Sequence, residues 1–208
     1  MMFITLEGPD GSGKTSQMPR ITALLEEKGY EVLCTREPGG TSISEQIRDV
    51  IHSLENTAMR PNTETLLYQA ARAQVVGEVI RPALAEGKIV LCDRYADSTL
   101  AYQGYGHQQD IESLRSLIDY ATNGLVPDLT LLFDVSAEEG LRRRENSGEE
   151  WNRLDAYKLE FHNRVREGYH QLRTVDPDRW AVIDASKTPD EVFEQVRAVL
   201  NERIATKV

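Results

Sequence analysis

The chain has 208 residues, with 34 acidic side chains against 24 basic ones and a net charge of −10. That balance argues against broad binding to nucleic acid or anionic membranes, which calls for a basic face. No apolar run reaches the roughly 18 residues of a membrane span, and the length suits one domain with a real core.

The first predicted element is an apolar strand, Phe3–Glu7, and directly after it stands Gly8-Pro9-Asp10-Gly11-Ser12-Gly13-Lys14-Thr15. The segment fits G-x-x-x-x-G-K-[ST] at every fixed position. Its glycines let the backbone curl where a Cβ would clash, so that successive N–H groups form a nest for phosphate oxygens. The following helix, marked by Ile21, Leu24 and Leu25 and ended by Gly29, turns its N-terminus to the same anion. In such a loop Lys14 reaches the β- and γ-phosphates and the Thr15 hydroxyl ligates Mg2+. The pattern points to a nucleoside triphosphate and leaves the reaction open. Pro19 falls beyond the first turn of this helix and predicts a kink.

Four further strands are read at Glu31–Thr35, Ile89–Cys92, Leu129–Val135 and Trp180–Asp184, alternating with helical stretches. That alternation predicts an α/β fold, a five-stranded parallel sheet with helices on both faces. Cys34 and Cys92 each close an apolar run and read as buried thiols in a reducing compartment. The opening Met1-Met2-Phe3 lacks a basic stretch, so no signal peptide is expected and the location is read as cytoplasmic.

After the second strand, Arg36-Glu37-Pro38-Gly39-Gly40-Thr41 makes a turn-rich loop at the carboxyl edge, where ligands of open α/β sheets gather. A helix from about Ser44 to Leu54 carries Arg48, which alone reads as a solvated side chain. Asn62-Thr63-Glu64 opens a longer helix with Leu66, Leu67, Ala70 and Ala71, expected to bend before Pro82 and end at Gly87. Tyr68 and Arg72 stand at i and i+4 on one face. They are either a packing pair or a platform for a flat base.

The third strand ends in Asp93-Arg94-Tyr95. An acid there, beside a phosphate loop, suits a metal's outer shell, and Arg94 suits a phosphate fork. Ser98-Thr99-Leu100-Ala101-Tyr102-Gln103-Gly104 alone reads as a polar loop-to-helix junction. Beyond the fourth strand, a basic segment runs from Gly140-Leu141-Arg142-Arg143-Arg144 to Trp151-Asn152-Arg153. Its polar stretch Glu145 to Glu150 reads as a hinge or lid, or else as a solvated face. A helix with Leu154, Phe161, Val165 and Tyr169 follows, and Thr188-Pro189-Asp190-Glu191 caps the last one.

With these motifs in place the chain resembles the bacterial thymidylate kinases over nearly its whole length. The resemblance rests on Gly8–Thr15, Arg36–Thr41, Arg48, Arg72, Asp93-Arg94-Tyr95, Ser98–Gly104, Gly140–Arg143, Asn152-Arg153 and Val182–Ala185. It implies a P-loop NTPase fold, a single kinase domain over 1–208 with a lid around 141–153, and a homodimer. The implied activity is phosphorylation of dTMP to dTDP with ATP and Mg2+, a step toward dTTP. Small molecules are the implied partners, without nucleic acid or membrane.

Carried over position by position, Asp10 matches the acid near the sugar 3′-hydroxyl, and Arg48 and Arg94 the arginines on the monophosphate. Tyr68 matches the ring stacked on thymine, Arg72 the residue on its O4, and Thr99 a polar residue near N3. Tyr102 matches the tyrosine that disfavours a 2′-hydroxyl, and Ser98 and Gln103 belong to the same segment. Gly8, Pro9, Asp10, Gly11, Ser12, Gly13, Lys14, Thr15 and Ala185 fall on the ATP side, with Thr15 and Asp93 at the metal. Lys14, Asp10, Arg94, Arg143 and Arg153 are the implied catalytic set. The phosphate loop lacks an arginine and the lid has several, which resembles the lid-arginine type of the family. Asn152, His107 and Ala71 depart from the family pattern, at a lid anchor, a surface contact and the position before Arg72. The rival readings are a kinase for another pyrimidine monophosphate such as dUMP, a GTPase-like switch, and a phosphate-loop ATPase.

Overall fold

The structure is a computed structural model that describes residues 1–146, 148, 153–154 and 157–205. Its five strands are β1 (Met2–Glu7), β2 (Val32–Arg36), β3 (Ile89–Asp93), β4 (Leu129–Asp134) and β5 (Trp180–Asp184). They form one sheet in the order β2-β3-β1-β4-β5 with every neighbouring pair parallel. The central place of β1 explains its unbroken apolar run, since every one of its residues is buried. Leu6 lies opposite Asp93 on one side and Leu131 on the other, so β1 and β3 release their following loops at the same edge.

The helices are α1 (Lys14–Glu27), α2 (Ser42–His52), α3 (Pro61–Val75), α4 (Arg81–Ala85), α5 (Ala96–Thr99), α6 (Ile111–Thr122), α7 (Ala137–Asn146), α8 (Leu159–Val175) and α9 (Pro189–Ala205). Period-two alternation along β1 divides the core. Ile4 and Leu6 pack with Ile21 and Leu25 of α1 and Val196 and Leu200 of α9 on one face. Phe3 packs with Val75, Val76 and Ile80 on the other. A third cluster on that face joins Tyr102, Phe161, Val165 and Tyr169 to Leu132 and Trp180.

Strand bounds depart from the sequence reading by a residue or so, and three other features need a reason. Cys34 is exposed, contrary to expectation, because β2 is an edge strand; its Sγ lies 3.0 Å from Thr22 Oγ1, while Cys92 is buried as expected. Helix α2 starts at Ser42, two residues early, because Thr41 Oγ1 accepts from Ser44 N at 3.1 Å and caps it. Helix α1 runs unbroken through Pro19. Before Pro82, where a bend was expected, residues Val76–Ile80 are wound as a π-helix between α3 and α4. Proline offers no N–H to the carbonyl four residues back, and the wider turn accommodates that loss. A second π-helical stretch, Leu100–Gly106, follows α5. The predicted capping box of α9 forms, with Thr188 N donating to Glu191 Oε2 at 3.0 Å and Glu191 N to Thr188 Oγ1 at 3.4 Å. Among the described residues no helix is long and apolar enough to cross a membrane.

Candidate active site

The loop between β1 and α1 is shaped by three glycines with positive φ: Gly8 at 140°, Gly11 at 72° and Gly13 at 87°. A Cβ on Gly8 would lie 2.3 Å from the Phe133 carbonyl oxygen, and one on Gly11 would lie 2.0 Å from that of Gly140. Both positions therefore exclude any side chain. Lys14 is buried, and its ammonium donates to Gly8 O at 3.0 Å, Pro9 O at 2.9 Å and Ser12 Oγ at 3.0 Å. Burial and the nearby Arg94 guanidinium push Lys14 down to about 8. At the first turn of α1, Thr15 Oγ1 donates to Asp93 Oδ2 at 2.8 Å. The other oxygen, Asp93 Oδ1, is buried without a hydrogen-bond partner in the structure. A hydroxyl beside a carboxylate with an unused buried oxygen fits Mg2+, which takes one or two protein oxygens and fills its shell from phosphates.

Arg94 directly follows β3 with φ at 68°, a left-handed conformation that costs a non-glycine residue free energy and aims its side chain under the phosphate loop. Its Nη1 donates to Gly8 O at 3.0 Å, and its Nη2 donates to Asp10 Oδ1 at 2.6 Å and Tyr102 Oη at 3.0 Å. Tyr102 Oη in turn donates to Asp10 Oδ2 at 2.7 Å. Burial opposes charge on Asp10, but Arg94 and then Lys14 outweigh it and hold the carboxyl well below the usual carboxylate range. An arginine, a carboxylate and a phenol are thus locked together where the two halves of the site meet.

The outer half is built on α2, α3 and the segment after α5. Arg72 is 1 % exposed, and Glu37 is the partner of its Nε at 2.7 Å. Its Nη1 donates to Thr99 Oγ1 at 2.9 Å and Gln69 Oε1 at 3.1 Å, and its Nη2 to Tyr95 O at 2.8 Å. Tyr68, one helical turn earlier, faces the same space, and burial followed by Glu64 pushes its phenol above the ordinary value. Arg48 Nη1 donates to Pro38 O at 2.9 Å, tying α2 to the loop after β2. Gln103 Nε2 donates to Glu64 Oε1 at 2.8 Å. His52, at the end of α2, also lines this space; burial and then Arg48 hold it down to about 4, so its ring is neutral.

The two halves open into one cavity of about 650 Å³. Of the residues expected from sequence, Asp10, Gly11, Gly13, Lys14, Thr15, Arg48, Tyr68, Arg72, Asp93, Arg94, Ser98, Thr99, Tyr102, Gln103 and Arg143 line it. Gly8, Pro9 and Ser12 stand behind the lining as partners of Lys14. Arg143 on α7 pairs with Glu139 at 2.7 Å and donates from Nη1 to Ala185 O at 2.8 Å, which brings the buried Ala185 to the edge of the site. Arg153 lies elsewhere. It is buried, ion-paired with Glu64, bonded through Nε to Ile51 O at 3.0 Å and through Nη1 to Tyr157 Oη at 2.8 Å, and absent from the cavity lining. His107, read as a surface contact, is half-buried in the same cluster, 3.2 Å from Glu64 Oε1 and packed edge-on against Tyr157. Trp151, Asn152 and much of the expected hinge, including Glu149 and Glu150, lie outside the described residues.

Sequence reasoning missed Glu7, Glu37, His52, Glu64 and Tyr169. Glu37 stood inside a quoted motif with no partner assigned. Glu64 stood among the residues that open a helix, Tyr169 among those of a later helix, and Glu7 at the end of a strand.

This cavity joins the glycine-rich loop to a pocket of aromatic and amide side chains, with arginines between. The family model for thymidylate kinase matches residues 6–196. A curated thymidylate kinase of Roseiflexus castenholzii is 49 % identical, covering 99 % of this chain and 95 % of its own. One from Nitratidesulfovibrio vulgaris is 52 % identical, covering 95 % of each. The crystal structure of thymidylate kinase from Ehrlichia chaffeensis superposes with a TM-score of 0.78 at 35 % identity, covering 96 % of this chain and 98 % of that one. Sequence and fold agree, and the chain belongs to the thymidylate kinase family.

Proposed function

We propose that this chain transfers the γ-phosphoryl group of ATP to a phosphate oxygen of dTMP, giving dTDP and ADP on the path to dTTP. The observation that carries the reading is the single cavity in which the phosphate loop faces the Tyr68, Arg72 and Thr99 pocket across the Asp10–Arg94–Tyr102 cluster. An ATP phosphate chain fits over the loop N–H groups and Lys14. The dTMP phosphate fits against Arg94 and Arg48, its sugar beside Asp10 and Tyr102, and its base between Tyr68 and the Arg72–Thr99 pair, with Ser98 and Gln103 closing the pocket.

The attacking oxygen of dTMP is already anionic, so the chain has little proton transfer to perform. Its work is to align acceptor and donor and to offset charge with Lys14 and arginines. Thr15 and Asp93 would hold Mg2+, which when bound neutralises charge on the nucleotide's phosphates. Arg143 sits on α7, whose first turn touches the phosphate loop, and it lines the cavity together with its neighbour Arg144, which puts both within the lid set for the transferring group. Arg153 reaches that group only by leaving Glu64, and its present bonds make it the anchor of the lid's far end on α3. We read 1–208 as one domain with a lid around 141–153, working in the cytoplasm.

A homodimer is part of the same proposal. Large apolar side chains stand exposed on three helices packed side by side: Ile43 and Val50 on α2, Leu66 on α3 at 56 %, and Tyr120 on α6 at 87 %. A second copy would cover them.

The test is product analysis with ATP and Mg2+ and with dTMP, dUMP, UMP, dCMP, dGMP and AMP offered in parallel. Rapid formation of dTDP with UMP a poor acceptor is the expected result. Preference for another monophosphate overturns the base assignment, and ATP hydrolysis indifferent to every acceptor overturns the transfer.

A further inference from the structure

We infer that Glu7 is a positioning residue for the phosphoryl acceptor: through the hydroxyls of Ser98 and Tyr169 and the N–H of Tyr95, its carboxylate fixes the guanidinium of Arg94 in the cavity. The inference rests on the reading of Arg94 as a ligand of the dTMP phosphate.

Glu7 is the last residue of β1 and is fully buried, outside the lining of the cavity, so it acts only through its neighbours. Its Oε1 accepts from Tyr95 N at 2.8 Å. Its Oε2 accepts from Ser98 Oγ at 2.6 Å and from Tyr169 Oη at 2.9 Å. Arg94 is held at both ends by this arrangement. On the backbone side, Arg94 N completes the sheet ladder to Leu6 O at 2.9 Å, and the next N–H, of Tyr95, turns away to Glu7. The carboxylate thus receives the N–H that the left-handed turn at Arg94 removes from the sheet. On the side-chain side, Arg94 Nη1 donates to Ser98 Oγ at 3.3 Å and to Tyr169 Oη at 3.2 Å, the same two hydroxyls that Glu7 binds.

Proton counting gives this relay a direction. A guanidinium only donates, so both hydroxyls must present lone pairs to Arg94. Each has one proton to place. Those protons run either both to Glu7 Oε2, or from one hydroxyl to the other across their 2.9 Å contact, in either direction, and from the second to Glu7. In both arrangements they point away from Arg94 and end on the carboxylate. A neutral group at this position weakens the relay. A protonated carboxyl gives its own proton to one hydroxyl and loses the charge that draws both hydroxyl protons away from Arg94. The amide introduced by Glu7→Gln has one oxygen for two sets of donors, the Tyr95 N–H on one side and the hydroxyls on the other. Its NH2 opposes whichever set the oxygen does not face.

The charge of Glu7 is also poised to vary. It is faced by Asp97 of α5, Arg94 and Cys92 at the end of β3, Tyr169 of α8, Lys14 of α1 and Arg72 of α3. Burial and then Asp97 push Glu7 up to about 7, against the pull of the Ser98 hydrogen bond and Arg94. Neutralisation then falls in the range where the reaction is assayed, and lowering the pH below 7 loosens Arg94 when Lys14, at about 8, already carries its proton and His52, at about 4, has yet to gain one.

The experiment compares wild type and Glu7→Gln in steady-state kinetics from pH 5.5 to 8.5, varying dTMP and ATP separately. Wild-type turnover of dTMP is measured first, so failure of the function reading is seen apart from failure of this inference. At pH 8 the substitution should raise KM for dTMP about tenfold, with kcat less affected and KM for ATP within about twofold, as loss of a charge-assisted hydrogen-bond partner implies. The ratio of wild-type to variant kcat/KM for dTMP should shrink toward one as the pH falls to 5.5. Titration of the dTMP phosphate itself cancels in that ratio. An unchanged KM for dTMP, a ratio constant across the pH range, or an equal loss on the ATP side overturns the inference. Tyr169→Phe removes one relay hydroxyl and keeps Glu7; it should raise KM for dTMP as well, and add little when combined with Glu7→Gln. Should Glu7→Gln not fold, Tyr169→Phe decides alone, and an unchanged KM for dTMP there overturns the inference.

Discussion

Lys14 binds three oxygens of its own loop through one ammonium, and the same ammonium faces the place proposed for the β- and γ-phosphates. Lys14→Ala removes that charge and leaves Arg48, Arg94 and the base pocket intact. Turnover should fall about a hundredfold or more, as when a charge-stabilising donor is lost. Binding of dTMP, read by calorimetry, should persist. Normal kcat in the variant would sink the mechanism.

Glu7 and Asp10 make opposite contributions to stability against pH. Glu7 has its folded value raised from 4.5 to about 7, so between those values the folded chain holds more protons than the unfolded one. The linkage slope is then negative, and the Glu7 contribution falls as pH rises from 4.5 to 7. Asp10 is lowered, so its contribution is full above the unfolded value of 3.8 and is lost as pH falls through its folded value. Between pH 5 and 7, clear of the Asp10 window, His52 works the other way, its folded value being lowered from 6.5 to about 4, so the Glu7 part is read as a difference: in urea unfolding, Glu7→Gln should lose less stability, or gain more, than wild type as the pH rises. Parallel slopes in the two proteins would place the raised proton affinity elsewhere.

Single residues were legible when their partners were near in sequence or fixed by a motif. Lys14 and Thr15 follow from spacing within the loop, and Asp93 from ending a buried strand. Glu37, Glu7 and Glu64 were not legible, because the groups that give them a role lie 35, 91 and 89 residues away, on Arg72, Ser98 and Arg153. A carboxylate at the end of an apolar strand looks the same whether it meets water or a buried hydroxyl pair. The resemblance found Arg153, but the structure places it in a buried ion pair with Glu64, and no pattern in the lid announced that pairing.

Among the elements, α7 depends most closely on backbone contact. A Cβ on Gly140 would stand 2.5 Å from Asp10 O, while one on Gly11 would stand 2.0 Å from Gly140 O. Helix and phosphate loop therefore touch main chain to main chain, and that contact sets where Arg143 enters the cavity. Gly140→Ala forces the two apart, because the added Cβ would lie 2.5 Å from Asp10 O where ordinary contact begins at 3.4 Å. The expected outcome is a fall in kcat of about tenfold or more, since a misplacement near 1 Å costs heavily in an aligned site, with an unchanged far-ultraviolet circular dichroism spectrum. Wild-type kcat in Gly140→Ala would show that α7 need not dock on the loop for transfer.

Element positions were otherwise readable to within a few residues. The start of α2 slipped because Thr41, Ser42 and Ser44 all offer capping hydroxyls, and only the packed chain shows that Thr41 is chosen. The π-helical stretch before Pro82 was foreseen as a bend, since a missing N–H is visible in sequence, but its form was not. The stretch over Leu100–Gly106 had no such mark, although it holds Tyr102 and Gln103 where they line the cavity.

At the scale of the molecule, alternating strands and helices announced a parallel sheet covered on both faces, but gave no rule for its order. The order β2-β3-β1-β4-β5 matters because it sets the phosphate loop between Asp93 and the end of β4. The exposure of Cys34 at the sheet edge depends on the same order. Exposed Leu66 and Tyr120 raise a different question, since both are large apolar side chains facing solvent. An apolar face spread over α2, α3 and α6 is tolerable in water as scattered residues, but contiguous patches of a few hundred Å² usually mark an interface. These helices also carry Arg48, Tyr68 and Arg72, so closing a second copy over them would steady the acceptor pocket from behind. Leu66→Glu combined with Tyr120→Glu places two charges on that face without touching the core. Sedimentation equilibrium should show the wild type as a dimer and the double variant as a monomer, with a higher KM for dTMP in the monomer. A wild type that stays monomeric at micromolar concentration would remove the dimer and leave the chemistry of the cavity as argued.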